Sequence, residues 1–200
     1  MDGPALANLF WVALPLKSFM WQRFPSFYIK LTNNVLLNPT SKIERRSLMP
    51  ARKLKEFLDS QAVKYLKIAH SPAYTAREVA QSLHIKGHKV AKTVIVFIEG
   101  KMAMAVMPAN RSIDFDHFQK EIGAKEIKLA SEGQFKDMFP DCEVGAMPPF
   151  GNLYGIEVYV DQHLTEYEEI FFNACTHSEL IRMSYQDFER LVKPKVVKFT

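Results

Sequence analysis

Two apolar runs, Ala91–Ile98 and Met102–Met107, are separated only by Glu99, Gly100 and Lys101. Val, Ile, Met and Phe dominate both, and a glycine sits in the short connection, so the pair predicts a β-hairpin. A strand with one wet face alternates apolar and polar residues. These runs are almost continuously apolar, which places the hairpin at the centre of a sheet covered on both sides. Any fold for this chain must be built around that hairpin.

The flanking segments supply the covering layers. Leu54, Phe57, Leu58 and Ala62 recur at helical spacing with charges between them, predicting an amphipathic first helix. Val63 to Ala69 alternates as a half-buried strand does. Thr75, Ala76, Arg77 and Glu78 have the form of a capping box that starts a short helix, which should end before Gly87. Further helices are expected over 113–122, behind Ser112 or Asp114 as cap, over 131–139, stopped by Pro140, and over 184–191. Strands are expected over 156–160, 168–173 and 179–182, with a turn-rich segment over 145–155. Strands and helices interleave without a regular βαβ rhythm. The fold class is therefore α/β in the α+β sense, with a mixed β-sheet or partial barrel and helices packed outside it.

Charge separates the chain into two parts. Of 26 basic and 22 acidic residues, residues 1–48 hold six basic and two acidic, which leaves 20 of each in 49–200. The whole net charge of +4 thus resides in the first 48 residues, and overall basicity does not argue for a nucleic-acid groove in the folded part. Those 48 residues mix aromatics, prolines and asparagines without a sustained period, and the expectation is an extension with weak autonomous structure. Their apolar stretch, Pro4 to Leu16, is shorter than the roughly 20 residues a membrane helix needs. It has the length of a signal-peptide core, but Asp2 stands where a basic start is expected and no small-x-small cleavage site follows. No membrane partner is expected. Cys142 and Cys175 form no CxxC pair, so neither a disulfide framework nor a zinc site is expected, and a reducing cytoplasm suits them.

Common catalytic signatures (GxGxxG, GxxxxGK[ST], GxSxG, HExxH) are absent from the sequence. Three features remain. Lys92 opens the first apolar run, where its ammonium could pair with a phosphate while its stem lies on apolar surface, or could simply snorkel at a strand end. Gly145 and Pro149 bracket a GxxxP turn, with Gly151 just beyond. Such a loop holds backbone amides rigidly enough to face a developing oxyanion, although taken alone the motif reads first as a plain structural turn. Cys175, Thr176 and His177 place a thiol near an imidazole, to be read as a nucleophile with its base or as a structural cysteine. His84 and His88 are four apart, but Gly87 between them disfavours a helix presenting both to a metal, and no metal or cofactor is expected. Glu157 and Asp161 have no evident carboxylate partner and read as solvated.

From Met49 onward, "MPARKLKEFLDSQAVKY", "AKTVIVFIEGKMAMAVMPA", "DMFPDCEVGAMPPFGNLYG" and "ELIRMSYQDFERLVKP" resemble the YbaK-type family, the prolyl-tRNA-synthetase-associated editing domain. The resemblance covers about three quarters of the chain in order, and its two hallmarks are the Lys92-Thr93 pair and the GxxxP loop. It implies a mixed sheet curled toward a barrel with surrounding helices. The implied activity is a carboxylic ester hydrolase that removes a mischarged small amino acid (Ala, Cys, Ser or Thr) from tRNA. Family members act alone or as a domain of a synthetase, so the implied partners are the mischarged tRNA 3′ end and an aminoacyl-tRNA synthetase.

The resemblance also assigns roles. Lys92 would hold the phosphate of the terminal adenosine, and Gly145 would set backbone groups against the ester and its attacking water. Thr93, Ala146, Met147, Pro148, Pro149 and Gly151 would complete the substrate site, and His70, Ser71 and Tyr74 would border the amino-acid pocket. A non-catalytic module that binds aminoacyl-adenosine or docks onto a synthetase is the alternative. Two departures stand out. Ala174-Cys175 occupies a place where a glycine-containing turn is expected. Residues 1–48 have no counterpart, which makes Met49 a candidate initiator and 49–200 the editing domain.

Overall fold

The structure, a computed structural model, describes residues 51–200 apart from Leu83. The extension expected over 1–48, and Met49, lie outside the described residues.

The chain enters through α1 (Arg52–Ser60), β1 (Tyr65–Ala69) and α2 (Ala76–Ser82) before the hairpin of β2 (Ala91–Ile98) and β3 (Lys101–Pro108). Next come α3 (Phe115–Ile122), β4 (Ile127–Leu129) and the single-turn α4 (Glu132–Phe135). Then follow β5 (Glu157–Asp161), β6 (Glu169–Asn173), β7 (Glu179–Ser184), α5 (Tyr185–Val192) and β8 (Lys195–Val197). The mixed α/β fold expected from the sequence is present, with its strands divided between two sheets. One is antiparallel, in the order β1-β7-β6; the other is mixed, in the order β4-β2-β3-β5-β8. In the second, β3 pairs in parallel with β5, and β5 in parallel with β8. An isolated parallel bridge between Val90 and Phe171 links the start of β2 to β6.

The central hairpin is apolar throughout because both of its faces are covered. Ile95, Met104, Val106, Val158 and Val160 point into a core shared with Ile170, Phe172, Ile181 and Met183 of the antiparallel sheet, closed by Leu54, Leu58 and Phe188 from the helices. The alternate residues Val96, Ala103, Ala105, Met107 and Tyr159 form a second core with Phe118 of α3 and Phe199 near the C-terminus. Phe118 lies between Tyr159 and Phe199, with ring centroids at 5.4 and 4.5 Å. Register sets this division, since Ile95 pairs with Met104 and Val96 with Ala103, and a one-residue slip would exchange the two faces.

Helix starts follow their caps. Thr75 Oγ1 accepts from the Glu78 amide while the Glu78 carboxylate accepts from the Tyr74 and Thr75 amides. Asp114, rather than Ser112, caps α3 by accepting from the His117 amide at 2.9 Å. Ser184 caps α5. The helix expected over 131–139 is instead a capped single turn followed by a 3-10 turn at Lys136–Met138.

Two sequence expectations are corrected. Asp161 is fully buried, not solvated. Its Oδ1 accepts from the amide and Nδ1 of His163 at 3.1 and 2.7 Å, and its Oδ2 accepts from the Phe199 amide at 3.0 Å. Burial is tolerable because every bond goes to a donor, and the carboxylate ties the C-terminal segment to the end of β5. Glu157 is exposed, as expected, and its carboxylate accepts from Lys195 at 2.9 Å and from the Tyr159 hydroxyl at 3.0 Å. Asp161→Ala strands the Phe199 amide and frees the Phe199 ring from its anchor. It is expected to cost about 3 kcal/mol in a denaturant titration, whereas an effect under about 0.5 kcal/mol would mean that the C-terminal segment is held by packing alone.

The second correction concerns the cysteines. Cys142 and Cys175, 33 residues apart in sequence, are joined as a disulfide. Their spacing carries no signal because the pairing is made by tertiary packing: the Glu143 amide donates to the Cys175 carbonyl at 2.9 Å and the Cys175 amide donates to the Ala146 carbonyl at 3.0 Å.

Candidate active site

The two sheets meet where β2 begins beside β6, and a cleft of about 230 Å³ opens at this seam. It is lined by Val90, Ala91, Lys92 and Thr93 from the start of β2, Asn173 from the end of β6, Thr75 at the cap of α2, and Gly145 and Met147 of the GxxxP loop. Four segments far apart in sequence thus converge on one small volume.

Lys92 is half-buried, and its ammonium donates to the Arg111 carbonyl. Burial, and then the positive charge of Arg77, hold its pKa below that of an exposed lysine. One bond uses one of three ammonium donors, leaving two for a ligand. The stem is fixed by its place in the ladder, where Lys92 pairs with Met107. The charge therefore sits on a rigid element at the edge of the cleft.

The GxxxP loop is stitched to the β6–β7 turn. Besides the two main-chain bonds flanking the disulfide, the His177 amide donates to the Glu143 carboxylate at 2.7 Å, and His177 Nε2 lies 2.9 Å from the Val144 carbonyl. A carbonyl only accepts, so Nε2 carries the proton. Gly145 follows at φ +87°, a conformation that side chains with a Cβ rarely adopt, and a Cβ added there would lie 3.4 Å from His177 Cε1. The backbone conformation favours glycine, and any side chain there would also press against the imidazole.

Lys92, Thr93, Gly145 and Met147, singled out from the sequence, share the cleft. Ala146, Pro148, Pro149 and Gly151 are buried behind the loop and do not line it. Gly151 has a packing role: a Cβ there would meet the Ile156 carbonyl and Val158 at 2.7 Å. His70, Ser71 and Tyr74 lie outside the lining; His70 Nδ1 is 2.7 Å from the Ser71 carbonyl, and Tyr74 is exposed. Thr75, Val90, Ala91 and Asn173 line the cleft without having been foreseen. Thr75 could have been noticed, since its capping box was legible. Asn173 carried no local signal, yet its Oδ1 is buried with no hydrogen-bond partner.

Cys175 is 1% exposed and bridged, so it offers no free thiolate. Its φ of +64° explains why a glycine suits this turn. Cys175→Ser is expected to leave activity at the cleft near normal while lowering oxidised stability by about 2–4 kcal/mol. In reductant, Cys175→Gly should be about 1 kcal/mol more stable than the parent chain, because the left-handed penalty is relieved. Loss of activity in both variants would restore the thiol to the chemistry.

No carboxylate, imidazole or thiol lines the cleft. A site with one fixed ammonium, two hydroxyls, a side-chain amide and a rigid backbone loop binds an anion and positions a carbonyl that is already activated. The chain belongs to the aminoacyl-tRNA editing domain family, whose pattern it matches over residues 70–191. It is 26% identical over 142 residues to the prolyl-tRNA editing protein ProX of Acetoanaerobium sticklandii, covering 68% of this chain and 86% of that protein. It is 25% identical over 110 residues to the proline--tRNA ligase of Bacillus mycoides, covering 55% of this chain but 19% of the ligase. Among solved structures, the hypothetical protein APE2540 superposes with a TM-score of 0.67 at 19% identity, covering 74% of this chain and 99% of the other. A candidate trans-editing enzyme for prolyl tRNA synthetase superposes with a TM-score of 0.65 at 19% identity, covering 75% and 96%. At these identities the superpositions speak for the fold alone. Among the described residues no helix is long and apolar enough to cross a membrane.

Proposed function

We propose that residues from Met49 onward form a trans-acting deacylase that hydrolyses the ester between a mischarged small amino acid and the 3′ end of a tRNA in the cytoplasm. The observation carrying this reading is that Lys92 and Gly145, 53 positions apart in the chain, line the same cleft. Lys92 holds the phosphate of the terminal adenosine through a charge-assisted contact. The loop around Gly145 aligns main-chain groups with the ester carbonyl and the incoming water. An aminoacyl ester is labile enough that positioning and charge stabilisation suffice, which accounts for a lining without a general base. The α-ammonium of the aminoacyl group needs acceptors, and the unpartnered Asn173 Oδ1 supplies one.

Alanine, cysteine, serine and threonine are the candidate acyl groups, since the cleft suits a small side chain. Discrimination among them turns on a methyl or hydroxyl worth about 1–3 kcal/mol. The test is a deacylation panel on the full chain, with tRNA charged separately with each of the four. Accelerated release of at least one is expected. Tight binding without release of any would make the protein a sensor of aminoacyl ends or a module that docks onto a synthetase.

A further inference from the structure

Tyr74 is 74% exposed, the most exposed large apolar side chain among the described residues. Exposed tyrosines are common on mobile loops, but this one is held. Its amide donates to the Glu78 carboxylate at 3.0 Å, and the preceding Ala73 amide donates to the His177 carbonyl at 2.9 Å. The Tyr74 and His177 rings are 5.0 Å apart at 47°. His177 is in turn clamped by the Glu143 carboxylate and the Val144 carbonyl. The Tyr74 backbone and the His177 ring beside it are thus each held, and an exposed aromatic is presented next to the GxxxP loop.

Its position relates it to the cleft. The residue after Tyr74, Thr75, lines the cleft from one side, and the glycine beside His177, Gly145, lines it from another. The ring pair therefore adjoins two lining residues, Thr75 through the chain and Gly145 through His177, without contributing to the lining itself. A ligand entering with its ester in the cleft and its phosphate at Lys92 leaves a planar heterocycle outside, next to the nucleotide sugar. An exposed aromatic on a held backbone beside the cleft matches such a group by stacking, which tolerates any base because every base has a π-face.

We propose that Tyr74, backed by His177, is the stacking platform for the terminal base of the single-stranded 3′ end whose ribose carries the ester. The inference rests on the deacylase reading and adds a binding residue to it. Because His177 Nε2 also holds the Val144 carbonyl, a base stacked on this pair rests against the support of the catalytic loop. The acyl group and the base are then read on two sides of one loop.

The experiment uses the full chain and two RNA probes. The first is a mischarged tRNA, for steady-state deacylation. The second is the same uncharged tRNA with 2-aminopurine as its terminal base, whose fluorescence is quenched by stacking. Tyr74→Ala is expected to raise KM about ten-fold, with the larger part of the loss in KM rather than kcat, and to abolish the quenching. Tyr74→Phe, which keeps the ring, should retain both. Tyr74 is largely exposed, so the alanine variant should fold, and an unchanged melting curve confirms it. Wild-type turnover accompanied by an unchanged KM and unchanged quenching in Tyr74→Ala overturns the platform and leaves the deacylase reading standing. A wild type that releases no amino acid from any charged tRNA removes both.

Discussion

Replacing Lys92 by alanine is expected to lower kcat/KM for deacylation by roughly 30- to 150-fold, the equivalent of about 2–3 kcal/mol for one charge-assisted contact to phosphate. The fold should survive, because the stem is only half-buried and Arg111, whose carbonyl loses its donor, is itself only partly buried. Lys92→Arg should recover little: the ammonium is a compact point charge on a strand, and a planar guanidinium fork needs more room. The charge also predicts a pH dependence. Burial and Arg77 lower the Lys92 pKa, so its proton is lost at a lower pH than that of an exposed lysine. Affinity for an uncharged tRNA 3′ end is therefore present at neutral pH and lost on the alkaline side, earlier than for a protein with an exposed lysine in this role. Lys92→Ala should flatten that limb. Binding isotherms between pH 7 and 10 check this, and an alkaline limb that persists in the alanine variant would assign the titration elsewhere.

Gly145→Ala should be as damaging, by a different route. The added Cβ faces a left-handed backbone at φ +87° and the edge of the His177 ring at 3.4 Å. Strain of about 1–2 kcal/mol is relieved most easily by moving the loop or swinging the imidazole off the Val144 carbonyl. Either shift moves the amides that we propose face the ester, and a displacement near 1 Å at a reacting centre costs about 100-fold. The drop should appear in kcat, with a small change in melting temperature. This separates Gly145 from Lys92, whose loss also weakens binding. Activity within two-fold of wild type in Gly145→Ala would show that the loop does not face the reacting bond.

The elements legible in the sequence were those whose signal is local. The β2–β3 hairpin was readable because burial of both sheet faces leaves an uninterrupted apolar run, and the cap at Thr75, with Asp114 as one of two candidates, because a cap is a contact between near neighbours. The three-residue strands β4 and β8 were not foreseen, since three residues are too few to display a period and exist as strands only by pairing with β2 and β5. Asp161 was misread for the same reason: its partner, the Phe199 amide, is 38 residues away. The Cys142–Cys175 pair likewise depends on a loop and a turn that meet only in the folded chain.

The candidate site divides along the same line. Lys92 and Gly145 could be marked from sequence because each breaks a local pattern, a charge at the head of an apolar strand and a glycine ahead of two prolines, and because the family resemblance joined them. Asn173, the exposed stance of Tyr74 and the support of the loop by His177 could not be marked, because each is defined by neighbours from other segments. Residue chemistry and periodicity determined which elements form and which faces they bury, since those depend on contacts within a few positions. Which of those elements share a cleft was decided by the joining of two sheets through Val90 and Phe171, a long-range packing choice that no short stretch of sequence encodes.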